Sequence, residues 1–272
     1  MNEYDPALQF AVGIAREAGK IVRDATQRPF EVRSKGLRDL LTDVDLAVER
    51  LLVDAIRGRY VDHDILTEET LPEERRSRYQ WIIDPLDGTG NFSRRYPCFS
   101  TSIALARDNE PIMGVVYDPM LGHMFTATSG GGAALGGQPL SVSHVDNLLD
   151  SLIGMDWTRD AGSRAESARI ITRLTPLCGS LRICGSAALA ICYVAAGWWD
   201  AYWHLGLSPW DAAAGALIVR EAGGTVTDEW GQRWEPGTGA CLASNGKVHN
   251  AFRGQVGAEV ESRLDLRHTR KE

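Results

Sequence analysis

The chain has 272 residues, a formal net charge of −7 and a pI near 5.4. Its hydrophobic fraction of 44% and charged fraction of 24% are typical of a soluble globular protein, folded as one large domain or as two tightly packed halves. No run of about 18 apolar residues occurs, which excludes a membrane span, and the acidic balance argues against general binding to nucleic acid. An anionic substrate is compatible with this charge, because bound cations can reverse the local potential.

The first half is predicted to begin with two amphipathic helices. Apolar residues recur at helical spacing over residues 7–26, and a second helix is predicted from Thr42 to Arg59, where Thr42 and Asp45 resemble a capping box. The polar stretch EVRSKGLRD lies between them. Beyond Tyr79 the pattern changes to the short strands WIID, TSIALAR, IMGVVYD and HMFTAT, followed by the glycine-rich turn region SGGGAALGGQPL.

The second half alternates strands with helices. SLIGM, LRICG, AYWHL, GTVTD and ACLAS are predicted strands, and helices are expected at 161–174, at 186–196, from 209 to about 221, and at the C-terminal end. This alternation implies helices packed on a mixed or parallel sheet. We therefore divide one compact unit into an N-terminal half, residues 1–147, and a C-terminal half, residues 148–272.

Cysteine usage and the N terminus indicate the compartment. The five cysteines are odd in number and scattered, and none forms a C-x-x-C pair, so buried free thiols are predicted rather than a disulfide framework or a zinc site. The first residues, MNEYDPALQF, lack the basic and apolar regions of a signal peptide. A cytoplasmic location is expected.

The strongest local signal is the run IDPLDGTGNF, directly after an apolar strand. It places Asp84 and Asp87 three residues apart at the rim of a sheet, and carboxylates with a turn carbonyl are ligands that suit Mg²⁺. Gly88 allows backbone N–H groups to approach a ligand closely, and the amides of Gly88 and Thr89 are suited to phosphate oxygens. Asp-Pro and Asp-Gly are also common turn formers, so this run alone is compatible with an ordinary turn.

Further acids follow other predicted elements. Glu68 comes after a strand-like run, Asp211 lies in the first turn of a helix, and Asp45 lies at the start of the second helix. Each has a simpler explanation, as a solvated loop charge, a helix-dipole partner or a capping residue. Together they place an acid at the end of almost every strand-like run. Carboxylates that converge repel one another unless cations lie between them.

These motifs resemble the inositol monophosphatase family. IDPLDGTGNF and WDAAAG look like its two signature motifs, and ILTEE, KGLRDLLTDVD, GVVYDP, GSAAL and REAGG match in family order over residues 7–250. The resemblance implies a mixed α/β (α+β) fold, a layered αβαβα sandwich of the inositol monophosphatase and fructose-bisphosphatase type. It also implies a homodimer, the state in which members are often found.

The resemblance further implies a Mg²⁺-dependent phosphomonoesterase that holds two or three ions and uses in-line attack by a metal-activated water. Metal ligands would be Glu68, Asp84, the Leu86 carbonyl, Asp87 and Asp211. Asp45 and Thr89, together with Glu68, would orient or activate the water, and the amides of Gly88 and Thr89 would bind phosphate. Lys35 and Asp39 fall near the family's mobile segment that completes the site.

The substrate is expected to be inositol-1-phosphate or a related small sugar or polyol phosphate. Contacts to it are expected from Gly185, Ser186, Ala187, His204 and Asp211. His204 stands where many inositol phosphatases carry a glutamate, which weakens the inositol assignment, and it is equally compatible with a structural role. Histidinol phosphate, fructose 1,6-bisphosphate and 3′-phosphoadenosine nucleotides remain alternatives within this chemistry, and a regulatory or RNA-associated role is the alternative from another class. Arg94 and Arg95 are expected in a solvated loop or a dimer contact.

Overall fold

The structure, a computed structural model, describes residues 3–71 and 74–257. The helices are α1 (Asp5–Ala25), α2 (Asp43–Arg59), α3 (Thr89–Ser93), α4 (Ala161–Leu174), α5 (Ala187–Ala195) and α6 (Pro209–Glu221). The strands are β1 (Val32–Gly36), β2 (Asp39–Thr42), β3 (Asp64–Thr67), β4 (Tyr79–Asp87), β5 (Ser100–Arg107), β6 (Glu110–Asp118), β7 (His123–Thr128), β8 (Gly132–Leu135), β9 (Gln138–Pro139), β10 (Leu152–Met155), β11 (Ser180–Ile183), β12 (Ala201–His204), β13 (Thr225–Thr227) and β14 (Cys241–Ser244). Residues 249–257 are helical too, which confirms the predicted C-terminal helix over the described part of it.

A seven-stranded sheet forms the first half, in the order β3-β4-β5-β6-β7-β8-β9. Strands β3 and β4 are parallel, and each later pair is antiparallel and follows sequence order. Helices α1 and α2 pack on one face, and their buried apolar residues share a core with Trp81, Ile83 and Ile103 of the sheet. Helix α2 begins with the capping box predicted for Thr42 and Asp45.

Two hairpins form where no strand was predicted. The polar stretch between the first helices forms β1 and β2, paired antiparallel. All five β1 residues are exposed, so the segment has no apolar alternation from which a strand could be recognised. The glycine-rich region expected to be a turn contains β8 and β9, and Leu135 pairs with Gln138 across the tight turn between them.

A second sheet of five strands forms the other half, in the order β11-β10-β12-β14-β13. Strand β10 is parallel to both of its neighbours, and β14 is antiparallel to both of its own. Helix α4 and the helix over residues 249–257 cover its outer face through Ile170, Leu174 and Phe252. The connection from β9 to β10 contains the boundary placed at residue 147.

Helices α5 and α6 form the layer between the two sheets, and their buried residues join one core with both. Small side chains make this layer possible, because a Cβ on Gly114 of β6 would lie 2.8 Å from the Ala214 carbonyl oxygen of α6. The order of layers is thus helix, sheet, helix, sheet, helix. The predicted αβαβα sandwich is confirmed.

The remaining predictions about the fold concern thiols and membranes. The five cysteines are free; four are buried and Cys98 is half-buried, with its Sγ atom 3.2 Å from that of Cys184. Among the described residues, no helix has both the length and the apolar character needed to cross a bilayer.

Candidate metal centre and active site

Strand β4 ends in the segment that carries Asp84 and Asp87. Its pairing with β5 is regular up to Asp84 and shifts before Asp87, so both acids come to the end of the strand. Gly88 follows with φ of +92°, a conformation that a side chain would strain, and an added Cβ would lie 3.0 Å from the Cys98 carbonyl oxygen. The short helix α3 begins at the next residue, Thr89.

Helix α6 brings the third acid to the same place. Pro209 occupies its first turn, and Ser208 and Asp211 form a capping box in which the Ser208 N–H donates to Asp211 Oδ2 at 2.7 Å. Carboxylate oxygens of Asp84, Asp87 and Asp211 lie within 4.8 Å of one another. Acids that are more than a hundred residues apart in sequence therefore form one cluster.

The electrostatics of this cluster favour a bound cation. Burial raises the pKa of Asp84 well above its ordinary value, and the charges of Glu68 and Asp87 raise it further. Burial also raises the pKa of Asp87 to about 6, and burial with the charge of Asp87 raises the pKa of Asp211 to about 8. Two buried carboxylates and the half-buried Asp211, all with raised pKa values, are a hard-oxygen ligand set that a divalent cation would stabilise.

The N terminus of α5 holds Asp87 in place. The Ser186 hydroxyl and the Ala188 N–H donate to Asp87 Oδ2, the latter at 2.9 Å, and the Ala187 N–H donates to Oδ1 at 3.2 Å. Ser186 is buried and its hydroxyl contacts a candidate metal ligand, while its expected contact with the substrate stays a prediction. Gly185 and Ala187, from the same predicted group, do line the cavity.

Thr89 and Asp45, predicted to act together, are in contact. The Thr89 hydroxyl lies 3.0 Å from Asp45 Oδ1 and 3.0 Å from the Leu86 carbonyl oxygen. The second carboxylate oxygen of Asp45 accepts hydrogen bonds from Thr42. Burial raises the pKa of Asp45. The hydroxyl has one proton, so a donation to Asp45 leaves the Leu86 carbonyl available to another partner.

Glu68 lies beside the acidic cluster and is held by two cations. Its Oε1 is 3.2 Å from Lys35 Nζ and 3.4 Å from Arg159 Nη2. Lys35 also contacts Glu69 at 2.7 Å, and Arg159 contacts Asp39 at 3.0 Å. The hairpin β1–β2 thus reaches the site through Lys35 and Asp39, which the sequence placed only near it. Arg159 was missed, because a polar residue in an irregular segment has no motif to mark it.

The acidic cluster, Glu68 and the turn at Gly88 and Thr89 border one cavity of about 650 Å³. Its lining includes Glu68, Asp84, Leu86, Asp87, Gly88, Thr89, Gly185, Ala187, His204 and Asp211. The metal and phosphate residues predicted from the sequence are therefore brought together. Asp156 was missed, although it directly follows a predicted strand, the pattern that identified the other acids. It is buried and accepts the N–H groups of Cys184 and Gly185.

Comparison with known proteins decides the family. A model described as "Inositol monophosphatase family" matches residues 3–262. The chain belongs to the inositol monophosphatase family. Nus factor SuhB of Escherichia coli K12 is 40% identical over 263 residues, which cover 95% of this chain and 98% of that protein. Inositol monophosphatase 1 of Solanum lycopersicum is 37% identical over 252 residues, which cover 90% and 92% of the two chains.

A solved structure of the inositol monophosphatase family agrees with the fold as well. The Thermotoga maritima IMPase superposes with a TM-score of 0.88 and is 34% identical, and the match covers 94% of this chain and 99% of that one. The resemblance predicted from the ordered motifs is thereby confirmed, as is the fold class.

Arg95 and His204, two residues discussed from the sequence, both make hydrogen bonds within the protein, and a substrate contact by His204 stays a prediction. Arg95 donates to the carbonyl oxygens of Thr26 and Arg28, at 3.1 Å each, and its guanidinium lies 5.3 Å from the Phe30 ring centre. It therefore fixes the segment after α1. His204 lies at the end of β12, is buried, and accepts the Gly206 N–H at its Nδ1 atom at 3.1 Å.

Proposed function

We propose that this chain is a Mg²⁺-dependent phosphomonoesterase that hydrolyses a small phosphorylated metabolite. The observation that carries the proposal is the convergence of Asp84, Asp87 and Asp211 within 4.8 Å, beside the backbone of Gly88 and Thr89, in one cavity. Asp84, Asp87 and Asp211, with Glu68 and the Leu86 carbonyl at the same cavity, would hold Mg²⁺. When bound, Mg²⁺ neutralises phosphate charge and acidifies water.

The residues of the chain have distinct parts in this reaction. The amides of Gly88 and Thr89 bind phosphate oxygens at the start of α3. The Thr89 hydroxyl donates a hydrogen bond to Asp45, which orients it, and accepts one from the attacking water. The water is thereby positioned for attack. Glu68 acts on the same water, while Lys35 and Arg159 fix its carboxylate. Asp211, in the first turn of α6, would hold metal on the side of the departing ester oxygen.

The substrates to test first are inositol-1-phosphate and related polyol phosphates. Histidinol phosphate, fructose 1,6-bisphosphate and 3′-phosphoadenosine nucleotides form the rest of the panel. Phosphate release is measured for each with Mg²⁺ and with excess chelator. We expect hydrolysis of at least one of them, abolished by chelator. No release from any, with the protein folded and Mg²⁺ saturating, would contradict the proposal.

A regulatory role is the second candidate, and the name of one relative favours it. The Escherichia coli protein, 40% identical to this chain, is a Nus factor by name. The acidic cluster is complete in this chain, which supports catalysis as the primary role. The two roles are separable, because Asp87→Asn would remove catalysis and leave the outer surface unchanged. The homodimer and the cytoplasmic location stay predictions.

A further inference from the structure

Three adjacent parallel strands end at the same side of the cavity. Met155 of β10 lies opposite Ile183 of β11 and Trp203 of β12, so the residues just after this register leave the sheet together. Ile183 lies at this register, Trp157 and His204 lie just beyond it, and all three line the cavity with Leu207. We call these four residues the apolar wall. Because the acidic cluster borders the same cavity, the organic group attached to a bound phosphate would contact this wall.

His204 is buried and brings a neutral ring to the wall. Its Nδ1 accepts the Gly206 N–H at 3.1 Å. Burial, and secondarily the charge of Arg159, lowers the pKa of His204 to about 4, which leaves the ring neutral. A neutral imidazole whose Nδ1 is already bonded offers a substrate at most one hydrogen bond, whereas a carboxylate can accept several.

The carboxylate of Asp156, next to the wall, already accepts hydrogen bonds from the protein. Asp156 accepts the N–H groups of Cys184 and Gly185 through Oδ1 and the Tyr202 hydroxyl through Oδ2, at 3.2 Å. Its carboxylate thereby joins the ends of β10, β11 and β12. A hydroxyl group of a substrate would therefore have to compete with these backbone and Tyr202 donors for the Asp156 carboxylate.

Two large apolar side chains of the wall are open to the cavity. Trp157 is 36% exposed and Ile183 is 56% exposed. The Arg164 guanidinium lies 4.8 Å from the Trp157 ring centre, which contributes to holding the ring in position. A flat ring that packs on Trp157 would remove the side chains of Trp157 and Ile183 from water. The contact between the two aromatic rings would stabilise the bound substrate further.

We infer that the alcohol part of the substrate carries a flat, weakly hydroxylated ring, aromatic or heteroaromatic, which packs on Trp157 against the apolar wall. Polyol phosphates are then poorer substrates than phosphate esters of such ring-bearing alcohols. This inference rests on the proposed phosphatase function and adds to it the substrate class.

The test compares kcat/KM for two ring-bearing esters, histidinol phosphate and adenosine 2′-monophosphate, with that for two polyol esters, inositol-1-phosphate and glycerol 2-phosphate. We expect at least one ring-bearing ester to exceed both polyol esters by about tenfold or more. The ratio of kcat/KM for a ring-bearing ester to kcat/KM for a polyol ester measures this preference. Trp157→Ala is expected to reduce the ratio about five- to tenfold, and Trp157→Phe to retain most of it. His204→Glu places free acceptor oxygens in the wall, and so it lowers the ratio by raising kcat/KM for the polyol esters.

The matched control is Trp230→Ala, which removes a similarly exposed tryptophan that is not among the cavity residues and is expected to leave the ratio unchanged. A wild-type preference for polyol esters, or a ratio that Trp157→Ala and Trp157→Phe both leave unchanged, would overturn the inference while the phosphatase function stands. The absence of Mg²⁺-dependent phosphate release from all four esters and from fructose 1,6-bisphosphate would overturn the phosphatase function itself, and the inference with it.

Discussion

The buried carboxylate of Glu49 accepts a hydrogen bond from the Thr67 hydroxyl at 2.7 Å, and so connects α2 to the end of β3. It also accepts the Glu69 N–H at 3.0 Å and the Thr70 hydroxyl. Three donors from residues 67–70 thus converge on one side chain, and this segment carries Glu68 into the cavity. Glu49 is a positioning residue, 18 positions away in sequence from Thr67.

Glu49→Gln should disturb this segment without changing the size of the side chain. One acceptor oxygen becomes an NH₂ donor that faces other donors, so we expect a loss of about 1–3 kcal/mol in the free energy of unfolding. We also expect the Mg²⁺ concentration at half-maximal activity to rise, because Glu68 is held less firmly. Urea unfolding and a Mg²⁺ titration of phosphate release measure the two effects. Asp54→Asn, an exposed substitution on the same helix, is the control, and equal behaviour of the two variants would remove Glu49 from this role.

Thr89→Ala tests the hydroxyl that contacts Asp45. Removal of a group that orients the attacking water should lower kcat by about 10²-fold or more, with a smaller change in KM. Thr89→Ser keeps the hydroxyl and should retain a large part of kcat. Steady-state kinetics at saturating Mg²⁺ give both values. A variant lacking the hydroxyl but turning over at the wild-type rate would show that this contact is only structural.

Addition of Mg²⁺ should stabilise the fold through the acidic cluster. A cation that binds only the folded state at about 100 times its Kd contributes about 2.7 kcal/mol, which corresponds to a rise of several degrees in Tm for a chain of this size. Asp84→Asn removes one of the mutually repelling carboxylates, so we expect a higher Tm without Mg²⁺ and a smaller rise on its addition. Differential scanning calorimetry with Mg²⁺ and with chelator measures both, and an unchanged Mg²⁺ response in the variant would contradict the assignment.

His249 makes stability depend on pH away from the active site. Burial lowers its pKa to about 4 from an ordinary value of 6.5, while its two nitrogens contact the hydroxyls of Thr227 and Ser244 at 3.0 and 2.8 Å. The unfolded chain therefore binds more protons between about pH 4 and 6.5, and the stability that His249 contributes is complete above that window and lost as the pH falls through it.

The corresponding measurement compares wild type with His249→Gln in urea at pH 7.5 and pH 5. The stability advantage of wild type should shrink by about 1–2 kcal/mol at the lower pH, since glutamine does not titrate there. A constant difference across the two pH values would show that His249 does not titrate in this window.

The sequence predicted the acidic residues of the site better than it predicted the residues that position them. Asp84, Asp87 and Asp211 could be found because each follows a recognisable local element, a strand end or a helix start. Their convergence was predictable from the family resemblance, and their mutual repulsion then indicated a bound cation. Ser186 was assigned to the substrate because its local sequence lies near the site. Its actual bond, to Asp87, depends on how α5 packs against β4 and leaves no local trace.

The same distinction applies to the fold. Helices α1 and α6 were predicted closely, because an apolar face in one and a proline start in the other are local signals. The hairpin β1–β2 was not predicted, since its exposed residues carry no alternation. Its contribution to the site is apparent only from the three-dimensional structure, in which Lys35 contacts Glu68 and Asp39 contacts Arg159.

The central claim is that buried carboxylates bind the divalent cation on which phosphate ester hydrolysis depends. Its most direct test is a Mg²⁺ titration of phosphate release by wild type, Asp87→Asn and the exposed control Asp54→Asn, each shown to be folded by urea unfolding. We predict saturable activation of wild type and of Asp54→Asn, and loss of at least about 10²-fold in Asp87→Asn at every Mg²⁺ concentration. Activity in Asp87→Asn equal to that of wild type, or hydrolysis by wild type that persists in excess chelator, would contradict the account.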